Sequence, residues 1–481
     1  MVSMPSKTSL TTLGSFIRGQ NADTLASILI ELAEEHQAVH DRLVRLQLSN
    51  HPKMLAATFR KTLTTWKRST KFIDYSQASD FGRELEAWLG QVERELLPQD
   101  PVEALALAEA FIQTDEVLFN RADDSGGAIG DAMRAGCLLW LRAASMCESP
   151  ADAWPDRVAA LVAADQYGGR EELLRRADLL LSEAAMRRLV ASCEAQLDDA
   201  IALPPAANKG VNWPAAQASA ALSLLSEALR DPEVLVRAVL RRSPVPNPVQ
   251  KANLVKAFLR YDRPDGALPW LEGSWEHLES TREHLRAQAL TMLGRTGEAS
   301  VVRQSIFEAS LAVGDLHAWL DLLSLPEQAH AIERARQLAA AHTDPVVVAL
   351  LMLDIGDDAA AEAALASAPA AIQGRDYATL VPLAGALERK GLWTGATAVY
   401  RALLIAILDR AYSPAYRHAA TYWATLLALA LALKCTRLMP LEPPDEFEAR
   451  IRNQHKRKTS FWAHVNGERQ AVDNDESDLQ S

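Results

Sequence analysis

The sequence predicts an all-α protein: divergent, tetratricopeptide-like antiparallel helix pairs stacked as an α-solenoid. Three observations carry this expectation. Hydrophobic residues make up 49% of the chain and are mostly Ala and Leu, which lose little side-chain freedom on entering a helix. Almost every segment repeats its apolar positions at helical period, and strand-like alternation bounded by turn residues is missing. Small residues recur at helix starts in the carboxy-terminal half, at a spacing close to the ~34 residues of a tetratricopeptide repeat. A chain of 481 residues exceeds one ordinary compact core, and stacking is how such a core is extended.

From the amino-terminal side, residues 21–49 predict one helix with Leu25, Leu29, Leu32, Val39, Leu43 and Leu46 along a stripe. His36 and His40 are spaced as two imidazoles sharing a metal would be on that helix. No HExxH accompanies them, and His36 falls on the apolar stripe, so a partly buried structural histidine is expected. Helix starts are well marked. Asp100 precedes Pro101 with Glu103 placed to complete a capping box, and Asp231-Pro232-Glu233 and Asp344-Pro345 repeat the Asp-Pro start.

Two stretches rich in Pro and Asn, LPPAANKGVNWPAAQ (203–217) and RRSPVPNPVQ (241–250), cannot continue a helix. They suggest an amino-terminal helical region over 1–240, repeats over 241–440, and a terminal segment over 441–481 with a basic helix and a disordered acidic tail, DNDESDLQS. In the repeat region, PDGALPWL, RTGEASVV, PEQAHAIE, DDAAAEAAL and WTGATAVY place Ala267, Ala299, Ala329, Ala361 and Ala396 about 30 to 35 residues apart. The fullest unit is LAGALERKGLWTGATAVYRALL. Its Ala386, Gly391 and Ala396 allow close approach, and Trp393 and Tyr400 are expected to fill the gap to the next pair. The run ATLLALALAL (424–433) is too short to span a bilayer and predicts a buried helix.

Charge and cysteine usage narrow the function. A net charge of −12 lacks the basic footprint of a general nucleic-acid binder. Cys137, Cys147, Cys193 and Cys435 form no CxxC pair and read as reduced core residues of a cytosolic protein. MVSMPSKTSLTTLGSFIRG lacks the continuous apolar core of a secretory signal. A cytoplasmic protein without membrane contact or cofactor is expected.

The segment NRADDSGGAIGDAM (120–133) is the most distinctive in the chain. A calcium loop needs ligands at alternate positions and a closing Glu, and this segment has adjacent aspartates and none. A phosphate cradle favours a nearby cation, and no Lys follows the glycines. The remaining reading is a helix from Pro101 ending near Asn120, a cap from Asp124 or Ser125, and Gly127 and Gly130 letting two backbones approach. Asp123, Asp124, Ser125, Gly127 and Gly130 are also the candidate recognition loop.

The second candidate is RIRNQHKRKTSFWAHV (450–465), read as one helix. Arg450, Arg452, Lys456, Arg457 and Lys458, with Phe461 and Trp462 as stacking rings, fit an RNA or single-stranded DNA contact. The favoured alternative docks Ile451, His455 and Trp462 on the last repeat and leaves the charges in water. No GxSxG, Cys–His pairing or Gly-rich phosphate loop marks catalysis, and Glu34-Glu35 and Asp357-Asp358 read as surface or helix-start charge. No catalytic or metal-ligating residue is assigned.

DDSGGAIGD followed by DQYGGREELLRRADLLL resembles a bacterial family of unknown function. It also resembles the helical region that accompanies some SWIM-type zinc-finger proteins. LASILIELAEEHQAVHDRL, AYSPAYRHAATYW (411–423) and IRNQHKRKTSFW agree with that resemblance. It implies a helical-repeat fold and nothing catalytic, and the Cys and His ligands of the zinc finger have no counterpart. The expected function is a non-catalytic scaffold that binds a protein partner on a concave face. A nucleic-acid-binding accessory protein acting through the basic helix, and an enzyme with a site assembled across repeats, are the alternatives.

Overall fold

The computed structural model describes residues 10–48, 50–148, 153–202, 212–433 and 441–467. Cys435, the acidic tail and residues 203–211 lie outside the described residues. Among those described, the chain forms 25 α-helices and no strand. One isolated parallel bridge joins Ile73 and Ala122. No described helix is long and apolar enough to cross a membrane. The chain divides into two compact units, Met1–Ala257 and Phe258–Ser481.

In the first unit, residues 21–47 form two helices rather than one. Asn21 caps Ala22–Glu35 by accepting from the Thr24 amide at 2.7 Å. His36 then adopts an extended conformation (φ −128°, ψ 107°) and starts Gln37–Gln47. The break lets the two halves pack on each other, which a straight helix cannot do. It also leaves His36 exposed, which corrects the expected partly buried histidine, and removes it from the helix carrying His40. The core lies further on, where Tyr75–Gln91 and Pro101–Ile112 both pack on Ala128–Ser145 around Trp88, Phe111 and Trp140.

Asp100, Asp231 and Asp344 cap their helices as the Asp-Pro pattern predicts. Glu103 does not close a capping box; its carboxylate pairs with Arg60. The predicted helix from Pro101 to Asn120 is also two helices, Pro101–Ile112 and Asp115–Asn120. At the break the Thr114 hydroxyl donates to the Phe111 carbonyl at 2.6 Å.

In the second unit several helices pack on the next in sequence: Glu279–Met292 on Thr296–Ser310, Pro345–Asp354 on Asp358–Ser367, Tyr377–Arg389 on Trp393–Asp409, and that helix on Tyr416–Leu433, while Asp358–Ser367 packs past its successor on Trp393–Asp409. Ala267, Ala299, Ala361 and Ala396 are fully buried, as small residues at close crossings should be. Ala329 is exposed, and Ala331 is the buried alanine of that helix. Tyr400 is buried against Tyr422, whereas Trp393 stays 37% exposed and does not fill a gap. The ALALAL helix is amphipathic rather than wholly buried: Trp423, Leu426 and Leu429 face the core and Leu431 faces solvent. The predicted basic helix over 450–465 is broken by a turn at 455–458, between Pro444–Gln454 and a helical stretch at 459–467.

Candidate functional site

In the first unit the fold joins the two glycine-bearing segments. The DDSGG segment is anchored from behind, because the Ile73 amide donates to the Arg121 carbonyl and the Asp123 amide to the Ile73 carbonyl, both at 2.9 Å. Gly127 is the N-cap residue of Ala128–Ser145, and Asp124 satisfies the first turn from outside the helix. Its two carboxylate oxygens accept from the Ile129 amide at 2.8 Å and the Gly130 amide at 2.9 Å. Asp123 accepts from the Ser125 hydroxyl and amide, and these bonds hold its carboxyl below the usual range. Gly127 is required for its left-handed φ of +77°, not for close packing, since a Cβ there would meet open space. The close approaches lie at Gly82, whose Cβ would sit 2.7 Å from the Ala128 Cβ, and Gly136, whose Cβ would sit 2.7 Å from the Phe111 ring. The five loop residues are therefore together, and both aspartates are engaged locally.

The DQYGGR segment lies beside that loop. Asp165 accepts from the amides of Tyr167, Gly168 and Arg170, closing a turn in which Gly168 has φ +76°. The Tyr167 ring stacks on Phe119 with centroids 5.2 Å apart, and its hydroxyl donates to the Asn120 side chain at 2.9 Å. Arg170 makes a fork of two bonds to Asp115, at 2.8 and 3.0 Å, with both side chains almost wholly buried. Its third bond goes to the Leu161 carbonyl at 2.9 Å.

Asp115, Tyr167 and Arg170 line a cavity of ≈ 440 Å³ with Glu109, Glu116 and Arg157. Arg157 pairs with Glu109 at 2.6 Å, and the same carboxylate accepts from the Trp140 indole at 2.8 Å. Arg157 and Arg170 are thus paired with Glu109 and Asp115, and Glu116 leaves the cavity one negative charge in excess. Behind it, burial pushes the Cys137 thiol far up, which makes it a core residue rather than a nucleophile. Among the described residues no group of three or more His, Cys, Asp or Glu is placed to hold a metal. The sequence pattern of DQYGGR by itself gives Asp165 and Arg170 no role. The available signal was an arginine directly following a glycine turn.

The terminal basic segment is only partly brought together in the second unit: Arg452 lies over the Trp462 ring at 5.0 Å, while the other charges turn to separate partners or to solvent. Arg450 pairs with Glu442 at 2.8 Å and Arg452 with Glu448 at 2.8 Å. Lys456 and Arg457 are exposed on the turn, and Lys458 is half-buried. Phe461 is fully buried against Trp423, and the Trp462 indole donates to the His455 carbonyl at 3.0 Å. Both rings therefore pack inward. Arg450 faces a second cavity together with Arg401, a buried arginine in GATAVYRALLIAIL that sequence reasoning passed over. A lone charge in so apolar a helix was the missed signal.

The chain matches no curated protein and no solved structure. Residues 7–464 match DUF6880, a family of unknown function, and the chain belongs to that family.

Proposed function

We propose that this chain is a non-catalytic cytosolic scaffold for a protein partner, with tetratricopeptide-like repeats over 241–440. The observation that carries the reading is the amino-terminal helix pair. Ala22–Glu35 and Gln37–Gln47 pack on each other, yet neither contains a buried residue. Ile28, Leu29 and Leu32 lie on one stripe and are 47%, 43% and 36% exposed. An apolar face of this kind marks an interaction surface. Asp23, Glu31, Glu34 and Glu35 flank it, while Arg45 of the second helix is engaged by Glu95 at 2.8 Å. The partner that fits is an amphipathic helix with Leu- or Ile-rich face and Lys or Arg flanks.

Neighbour-to-neighbour helix packing in the second unit, with alanines buried at a repeat-like interval, supports the repeat reading. So does the resemblance to the helical region beside some SWIM-type zinc fingers. The test is affinity co-purification from the native host, with and without nuclease, followed by cross-linking mass spectrometry. The expected result is a stoichiometric, nuclease-resistant protein cross-linked through a basic amphipathic helix to residues 22–47. The Ile28→Glu/Leu32→Glu variant should lose it without a change in melting temperature. Retention of the partner by that variant would overturn the assigned surface. Nuclease-sensitive recovery alone would move the function to the basic turn around Lys456.

A further inference from the structure

The second unit contains a cavity of ≈ 650 Å³. One wall is a single face of Trp393–Asp409, on which Ala398, Arg401, Ala402, Ile405 and Asp409 recur at helical spacing. The alanines keep that wall low. The segment around Gly374 forms a second wall and lies so close that a Cβ on Gly374 would collide with the Ala402 carbonyl. Leu441, Glu442, Phe447 and Arg450 form the third.

The charge on Arg401 is the anomaly in this cavity. The side chain is 7% exposed. Its Nη1 donates to the Glu442 backbone carbonyl at 2.7 Å, and its guanidinium lies 4.2 Å from the centre of the Phe447 ring. Its Nε has no hydrogen-bond partner, and no described carboxylate forms an ion pair with it. The Glu442 carboxylate is taken by Arg450 at 2.8 Å, and Asp409 faces His455 at 3.5 Å. Arg375 and Arg410 stand exposed at the mouth. Four guanidinium groups therefore line a cavity with two carboxylates, Glu442 paired with Arg450 inside it and Asp409 beside the His455 imidazole, which leaves two positive charges in excess. Burial pulls Arg401 down to about 10, opposed by Glu442 and reinforced by Arg450.

A buried guanidinium without a counter-charge is costly, and an anion placed beside it removes that cost. We propose that this cavity binds a small organic phosphomonoester, its dianion held by Arg401 with Arg375 and Arg410, and its organic part against Ile405, Leu441 and Phe447. Two surplus positive charges match a dianion better than a single carboxylate. Guanidinium forks suit phosphoryl oxygens, and the volume falls in the range of small-ligand sites. The site rests on observations independent of the amino-terminal helix pair.

The test is isothermal titration of the full chain at low salt with phenyl phosphate, inorganic phosphate and benzoate as probes. Phenyl phosphate should bind saturably at one site, inorganic phosphate more weakly, and benzoate about tenfold more weakly than phenyl phosphate. Arg375→Ala/Arg410→Ala, at exposed positions, should weaken phenyl phosphate about tenfold with an unchanged melting temperature. Arg401→Lys, which keeps the charge and loses the fork, should weaken it at least as much with an unchanged circular dichroism spectrum. The absence of saturable binding, benzoate binding equal to phenyl phosphate, or parent-like affinity in the rim variant would each overturn the proposal. The rim variant decides the matter if Arg401→Lys does not fold.

Discussion

Arg170 and Asp115 are 55 residues apart in sequence and share two buried hydrogen bonds. Removing one partner leaves the other charge buried and unpaired, a change that costs about 3–5 kcal/mol. Arg170→Met should lower stability by that amount in urea unfolding, and adding Asp115→Leu should recover most of it. A single-variant cost below about 1 kcal/mol would mean the pair is not what holds the DQYGGR segment in place. His455 makes a different prediction. Burial holds its imidazole below its ordinary value, outweighing Asp409, while Lys458 and Arg450 act in the same direction as burial. The unfolded chain therefore takes up a proton near pH 6.5 that the folded chain refuses. This contribution to stability is complete above about pH 6.5, falls as the pH drops through it, and flattens below the folded value. The urea midpoint should decline between about pH 7.5 and 5.5, and His455→Gln should show a smaller decline. An equal decline in the variant would remove His455 as its source.

Helix ends separate the two readings of the aspartate loop. Asp124 satisfies two amides of the first turn of Ala128–Ser145, so Asp124→Ala should cost about 1 kcal/mol. The Asp123 carboxylate bonds only within the exposed loop, and Asp123→Ala should stay within about 0.5 kcal/mol. Equal costs would contradict this division. Gly136→Ala places a methyl group against the Phe111 ring at 2.7 Å and should cost about 1–3 kcal/mol by overpacking, read as a lower melting temperature. The caps were legible from sequence because Asp-Pro and Asp-x-x starts act within one turn of chain. The breaks at His36, at Thr114 and over 455–458 were not. None contains Pro or Gly, so no residue of the sequence marks them as helix ends.

Each unit carries its own apolar core. Residues from Leu55 to Ala238 build one, and residues from Phe307 to Val465 build the larger part of the other. Scanning calorimetry of the full chain should therefore give a calorimetric enthalpy larger than the van't Hoff value. Equality of the two would show a single cooperative transition instead.

Helical class and the Asp-Pro caps follow from propensity and short-range hydrogen bonding, which any stretch of about a dozen residues already expresses. The candidate sites depended on distant partners. Arg170 reads as one more surface charge until Asp115, 55 residues away, takes its fork, and Phe461 reads as a stacking ring until Trp423 buries it. Alanine spacing alone favours Ala329, yet packing buries Ala331. Arg401 differs from the other arginines of the chain only through what surrounds it: a ring, a backbone carbonyl and a cavity. Burial and ion pairing are properties of neighbours in space, and only the folded chain chooses them.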